Sequence, residues 1–221
     1  MTDLRVHVGD KVGDVSALFL RPDDAWAVYV LGHGAGAGMR HRFMGDVAGA
    51  LAVRGVATLR YQFPYLEHGS RRPDPPGVLE ATVRAAVAKA RELAPDLPLV
   101  AGGKSLGGRM TSSAMARRPL DGVRGLVFLG FPLHPPKQPN TARAEHLAQV
   151  QVPMLFLQGT RDTLADLGLV TGVCARLEPR ATLHVVEGAD HSFAVLKRSG
   201  RTDAQVLEEL AGTVTDWIRR V

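Results

Sequence analysis

The sequence is poor in cysteine, aromatics, lysine and long apolar runs, and each scarcity excludes a class of protein. Cys174 is the single cysteine among 221 residues. No intrachain disulfide can form, and a cytoplasmic protein with a buried structural thiol is expected. Aromatic residues make up only 5%, too few for the interleaved platforms that stack nucleic-acid bases. Lysine supplies five of the 27 basic residues, so the net charge of +5 is carried by arginine. Those arginines are scattered in short pairs at 71–72, 117–118 and 219–220. No basic recognition helix results, and nucleic acid is not an expected partner. No stretch approaches the roughly 20 apolar residues of a membrane span. The start of the chain, Met1-Thr2-Asp3-Leu4-Arg5, has no apolar signal-peptide core.

What remains is an alternation of short apolar runs and longer amphipathic ones. The short runs predict strands at Leu4–Val8, Val15–Leu20, Ala27–Leu31, Val56–Tyr61, Leu97–Ala101, Gly125–Gly130, Met154–Gln158 and Ala181–Val186. Most carry no charge, as befits parallel strands covered on both faces. Helical spacing predicts Phe43–Arg54, Val78–Leu93, Leu106–Arg117, Leu164–Leu177 and Asp203–Arg220. The β-α-β-α order implies one α/β domain over residues 1–221, with a mostly parallel sheet and helices on both faces. The first two strands, joined by a short turn, should form an antiparallel hairpin at one edge. Phe63–Gly77 and Phe131–Thr141 read as Pro-rich loops leaving strand ends, where open α/β sheets place ligands.

One such strand end carries Gly103-Lys104-Ser105-Leu106-Gly107, a G-x-S-x-G stretch between an apolar run and a helical one. A serine on that sharp turn projects its hydroxyl above the sheet. A phosphate-binding loop is excluded, because the first glycine of its pattern would fall on Pro98. A serine nucleophile needs a base and an orienting acid, here in the chain order Ser, Asp, His. Asp162 follows the strand Met154–Gln158, and His191 follows Ala181–Val186. Asp166 falls inside the expected helix, and Asp190 lies beside the histidine instead of across from it. The glycine-rich loop His33-Gly34-Ala35-Gly36 follows an early strand and can aim backbone N–H groups at a developing oxyanion. Ala35 and Leu106 are the expected donors. The same loop reads as a variant dinucleotide fingerprint, with Arg60 as its only support, but that reading leaves Asp162 and His191 unexplained. His33, Gly34, Gly36, Arg40, Phe63, Tyr65, Phe131 and Leu133 are the expected substrate-binding residues, the four apolar or aromatic ones as an acyl pocket. Lys104 is expected to pair with a nearby carboxylate. No metal or cofactor is implied, and the segment between Gly130 and Val152 is too short for a helical lid.

Together, His33-Gly34-x-Gly36, the turn at Ser105, Gly159-Thr160-Arg161-Asp162 and Ala189-Asp190-His191 resemble the α/β-hydrolase superfamily across nearly the whole chain. The likeness is greatest to small cap-less serine hydrolases near dienelactone hydrolase. It extends to a largely uncharacterised group with testis-expressed members and a larger subunit of the NSL histone-acetyltransferase complex. The resemblance implies a cap-less hydrolase fold and attack on a small ester or thioester. The alternatives are a catalytically silent binding or scaffold protein, or a cofactor-free perhydrolase. The chain departs from the group after Asp162, reading Thr163-Leu164-Ala165 where the relatives carry an aromatic-Gly pair. It also departs from dienelactone hydrolases proper in carrying serine instead of cysteine.

Overall fold

The computed structural model describes residues 1–221. Its centre is an eight-stranded sheet in the order β1-β2-β4-β3-β5-β6-β7-β8. The strands are β1 (Thr2–Gly9), β2 (Gly13–Leu20), β3 (Ala27–Gly32), β4 (Val56–Tyr61), β5 (Leu99–Lys104), β6 (Val123–Leu129), β7 (Met154–Gly159) and β8 (Ala181–Val186). β1 and β2 form the expected edge hairpin, β2 pairs antiparallel with β4, and every other pair is parallel. The helices are α1 (Arg42–Ala52), α2 (Pro64–Glu67), α3 (Pro76–Leu93), α4 (Leu106–Arg117), α5 (Leu167–Arg176) and α6 (Asp203–Ile218). This is the α/β-hydrolase fold without a cap. No helix is long and apolar enough to cross a membrane.

Each sheet face buries its own core. Leu79, Val83, Ala86, Val87 and Ala90 lie along one stripe of α3, and with α4 and α5 they cover one face. Val206, Leu210, Val214, Trp217 and Ile218 of α6 cover the other together with α1. Thr202 starts α6 with a capping box: its hydroxyl accepts from Gln205 N–H, and the Gln205 side chain accepts from Thr202 N–H. Cys174 is buried in the first core, and burial raises its thiol pKa to about 11.

Three elements differ from the sequence expectation. α5 starts at Leu167, because Asp166 is its cap and accepts from Leu169 N–H at 3.0 Å; Asp166 is therefore not inside the helix. The first Pro-rich stretch, Phe63–Gly77, is not wholly loop, whereas Phe131–Thr141 is loop as expected. Pro64 starts the short α2, and a 3₁₀ helix at Ala142–Gln149 lies between β6 and β7, with Leu147 buried in the core beside α4.

The third difference shapes the site. β5 does not stop at Ala101 but runs through Gly102 and Gly103 to Lys104. Its last residues are wedged between β3 and β6, with Gly102 beside Leu31 and Val127. Gly102 has φ +149°, and a Cβ there would lie 1.9 Å from the Val127 carbonyl oxygen. Glycine is required by this backbone approach, which sequence propensity reads as the end of a strand. Gly102→Ala is expected to cost at least about 3 kcal/mol of stability. Urea denaturation followed by circular dichroism measures this, and a loss under about 1 kcal/mol contradicts the wedge.

Candidate active site

The end of β5 turns into α4 through Ser105 alone. Ser105 has φ +50° and ψ −111°, a conformation that L-residues rarely adopt. Such strain costs on the order of 1–3 kcal/mol and persists only where surrounding structure enforces it. Here Ser105 N–H donates to Leu129 of β6, and Ser105 C=O accepts from Arg109 N–H. The hydroxyl is thereby held above the sheet edge. Its Oγ lies 2.9 Å from His191 Nε2, and His191 Nδ1 lies 2.7 Å from Asp162 Oδ2.

Asp162 follows β7, and its side chain has no solvent exposure. Gln158 Nε2 donates to its Oδ2 and Leu164 N–H to its Oδ1. With Asp162 Oδ2 facing Nδ1, a proton on that nitrogen leaves His191 Nε2 as an acceptor facing Ser105 Oγ. His134 fixes the same loop: its N–H donates to Leu164 C=O, and its Nε2 accepts from Asp166 N–H.

The loop after β3 passes beside the serine, for a Cβ on Gly34 would lie 3.6 Å from Ser105 Cβ. Ala35 is exposed there, and its N–H donates to no group in the chain; neither does that of Leu106, the first residue of α4. The start of α4 adds the positive end of its dipole. A cavity of about 300 Å³ lies over Ser105 and His191, walled by Ala35, Ala37, Phe43, Met44 and Leu164. A larger groove of about 750 Å³ between α3 and the end of α4 lies elsewhere; its Arg84 is bonded to the carbonyls of Ala114, Arg118 and Pro119.

The expected substrate-binding residues divide. Gly34 borders the cavity; the others do not. Phe63, Tyr65, Phe131 and Leu133, the expected acyl pocket, are core residues with at most 2% exposure. Phe131 packs on Phe128 and Phe156. Phe63 and Tyr65 brace the Gly34–Gly36 loop from behind: Phe63 N–H donates to His33 Nε2 at 3.0 Å, and Tyr65 OH accepts from Gly36 N–H at 3.3 Å. His33 is likewise buried and donates from Nδ1 to Gly34 C=O. Arg40 points away, exposed and paired with Asp3. Apolar residues just after a strand end serve a pocket or a core equally well in sequence, and here the core takes them. The actual walls come from α1 and from Leu164. Phe43 and Met44 carry a signal, as apolar residues at the head of a helix that follows the glycine loop.

Lys104 does not pair directly with a carboxylate. It donates from Nζ to the main-chain oxygen of His191 and lies 5.3 Å from the centre of the Phe193 ring. Burial lowers its pKa to about 8, against the raising pull of Asp162 and Asp190.

These features place the chain. It belongs to the α/β hydrolase family. The family's model, the alpha/beta hydrolase domain, matches residues 25–219. Among solved structures, this hydrolase is similar to a dienelactone hydrolase from Anabaena variabilis, at 20% identity over 99% of this chain and 96% of that one, with a TM-score of 0.77. It is similar to a lidless α/β serine hydrolase from Xanthomonas campestris, at 21% identity over 98% and 94%, TM-score 0.75. An α/β serine hydrolase homologue from Coxiella burnetii aligns over 96% and 97% at 18% identity, TM-score 0.76. At these identities the likeness is one of fold.

Two titrations follow from burial. His33 is neutral in the fold, with its pKa lowered to about 4 by desolvation. The unfolded chain binds the extra proton first, so stability falls as pH drops from about 6.5 to about 4, by on the order of 3 kcal/mol for this group. Urea titrations should show a shallower acid loss for His33→Gln. Lys104 acts in the same sense at higher pH: the unfolded chain holds its proton between about pH 8 and 10.5, so stability rises with pH there. Relative to Lys104→Met, the native chain should gain stability across that interval; a constant difference contradicts burial of a charged amine.

Proposed function

We propose that the hydrolase cleaves small carboxylic esters or thioesters through an acyl-enzyme formed on Ser105. The observation that carries the reading is the unbroken relay from Ser105 Oγ through His191 to Asp162, at 2.9 and 2.7 Å, presented by a strained turn. His191 Nε2 takes the hydroxyl proton as Ser105 Oγ bonds to the substrate carbonyl carbon. The carbonyl oxygen becomes an oxyanion, held by the N–H groups of Ala35 and Leu106. His191 then gives its proton to the departing alcohol oxygen or thiol sulfur as the bond to it breaks. Water, deprotonated by the same histidine, releases the acid and restores Ser105. Asp162 keeps its charge throughout and holds the imidazole in the tautomer that makes Nε2 the base. No protein, nucleic-acid or cofactor partner enters these steps.

A fluorophosphonate probe should label the native chain at Ser105 and leave Ser105→Ala unlabelled. Ser105→Ala should lower kcat on p-nitrophenyl acetate by at least about 10⁴-fold. Asp162→Asn should lower it by about 10⁴-fold with KM little changed, because the amide favours the wrong histidine tautomer. Equal labelling of native and Ser105→Ala protein, both folded, overturns the reading.

A further inference from the structure

The cavity over Ser105 continues beyond its own walls. His41, Phe43 and Ser192 border it and also border a second concavity of about 480 Å³. That groove runs between α1, the loop after His191 and the start of α6. Its floor is apolar, formed by Phe43, Phe193, Val206, Leu207 and Leu210. Phe43 and Phe193 are stacked, with ring centres 5.9 Å apart and planes 8° from parallel. The rim is polar and partly bonded within itself. Arg42 pairs with Asp46 at 3.4 Å. Asp203 accepts from Val195 N–H, and His41 Nδ1 accepts from Phe43 N–H. Arg42 and Asp46 offset one another and Asp203 is the one rim charge without an ionic partner, whereas an apolar chain would cover the exposed carbon of the floor.

The chemistry at Ser105 says which part of a substrate reaches this groove. His191 Nε2 must hand its proton to the leaving oxygen, so the leaving group departs on the histidine's side. The groove begins on that side, at Ser192 and Phe193. The concavity on the other side of His41 is different, lined by Arg40, Gln62 and Glu67 and largely polar.

We infer that the groove between α1, α6 and the His191 loop binds the alcohol portion of the ester, an unbranched alkyl chain of about hexyl length, while the acyl portion stays small. The inference rests on the ester-hydrolase reading of Ser105 and adds a substrate class to it. The smaller cavity over Ser105, about 300 Å³, limits the acyl group, and the adjoining groove of about 480 Å³ gives the alcohol chain apolar surface to lie on.

Hydrolysis of ethyl, butyl and hexyl acetates, followed by acid release, tests it. In the native chain kcat/KM should rise at least about tenfold from ethyl to hexyl acetate, since each methylene laid on the groove is removed from water. Ala204 is exposed on the first turn of α6 and lines the groove. Ala204→Trp should abolish the rise and leave ethyl acetate within about twofold; Leu207→Gln, farther along the floor, should weaken it. A flat alkyl series overturns the inference, as does a rise that follows acyl length in ethyl butyrate and ethyl hexanoate instead. If no ester turns over, an NMR titration with hexan-1-ol decides independently of catalysis. Shifts confined to Phe43, Ala194, Ala204 and Leu207, absent in Ala204→Trp, sustain the groove while the hydrolase reading falls. No shift at those residues overturns the groove.

Discussion

The approach of β5 to its neighbours without intervening side chains is the constraint on which the site depends. Gly103 lies beside Gly32 of β3, and a Cβ on Gly107 would lie 2.4 Å from the Gly32 backbone. Three glycines thus let the end of one strand, the start of a helix and a neighbouring strand meet backbone to backbone. Any larger residue would push α4 away from the sheet, and Ser105 would relax out of its φ of +50°. The strain at the serine is therefore sustained by packing some distance below it, in the part of the sheet with least freedom to move.

The remaining site residues are carried to the same edge by parallel topology. β5, β7 and β8 point the same way, so the residues after them emerge together. That is why Ser105, Asp162 and His191, separated by 57 and 29 positions in the sequence, meet within hydrogen-bond distance. Their supports lie one step back. Gln158 and Leu164 hold the carboxylate, His134 holds its loop, and His33 with Tyr65 holds the glycine loop. The geometry around Ser105 is set by groups that need never touch a substrate.

Strand positions, chain order and the turn at Ser105 were legible in the sequence because each has a one-dimensional signature: an apolar run, a post-strand acid, a glycine spacing. The walls of the cavity were not. Phe63 and Phe131 follow strands as a pocket residue would, but burial depends on which neighbours arrive in space. The end of β5 was misplaced for a related reason. Glycines disfavour strands by propensity, and only the contact of Gly102 with β6 shows why two occur inside one. Gln158 closes an otherwise apolar strand, an anomaly that the buried Asp162 beside it explains.

Lys104 has a mechanical consequence. It is the residue next to Ser105 in the chain, and its ammonium, lying over the Phe193 ring, is bonded to the main-chain oxygen of His191. His191 is thus referenced to the very peptide that carries Ser105, through one side chain. When the sheet edge breathes, serine and histidine are carried as one body, and their separation is insulated from motions that would displace either alone. A loop that lies on the surface, and would otherwise drift, inherits the stiffness of the central strand.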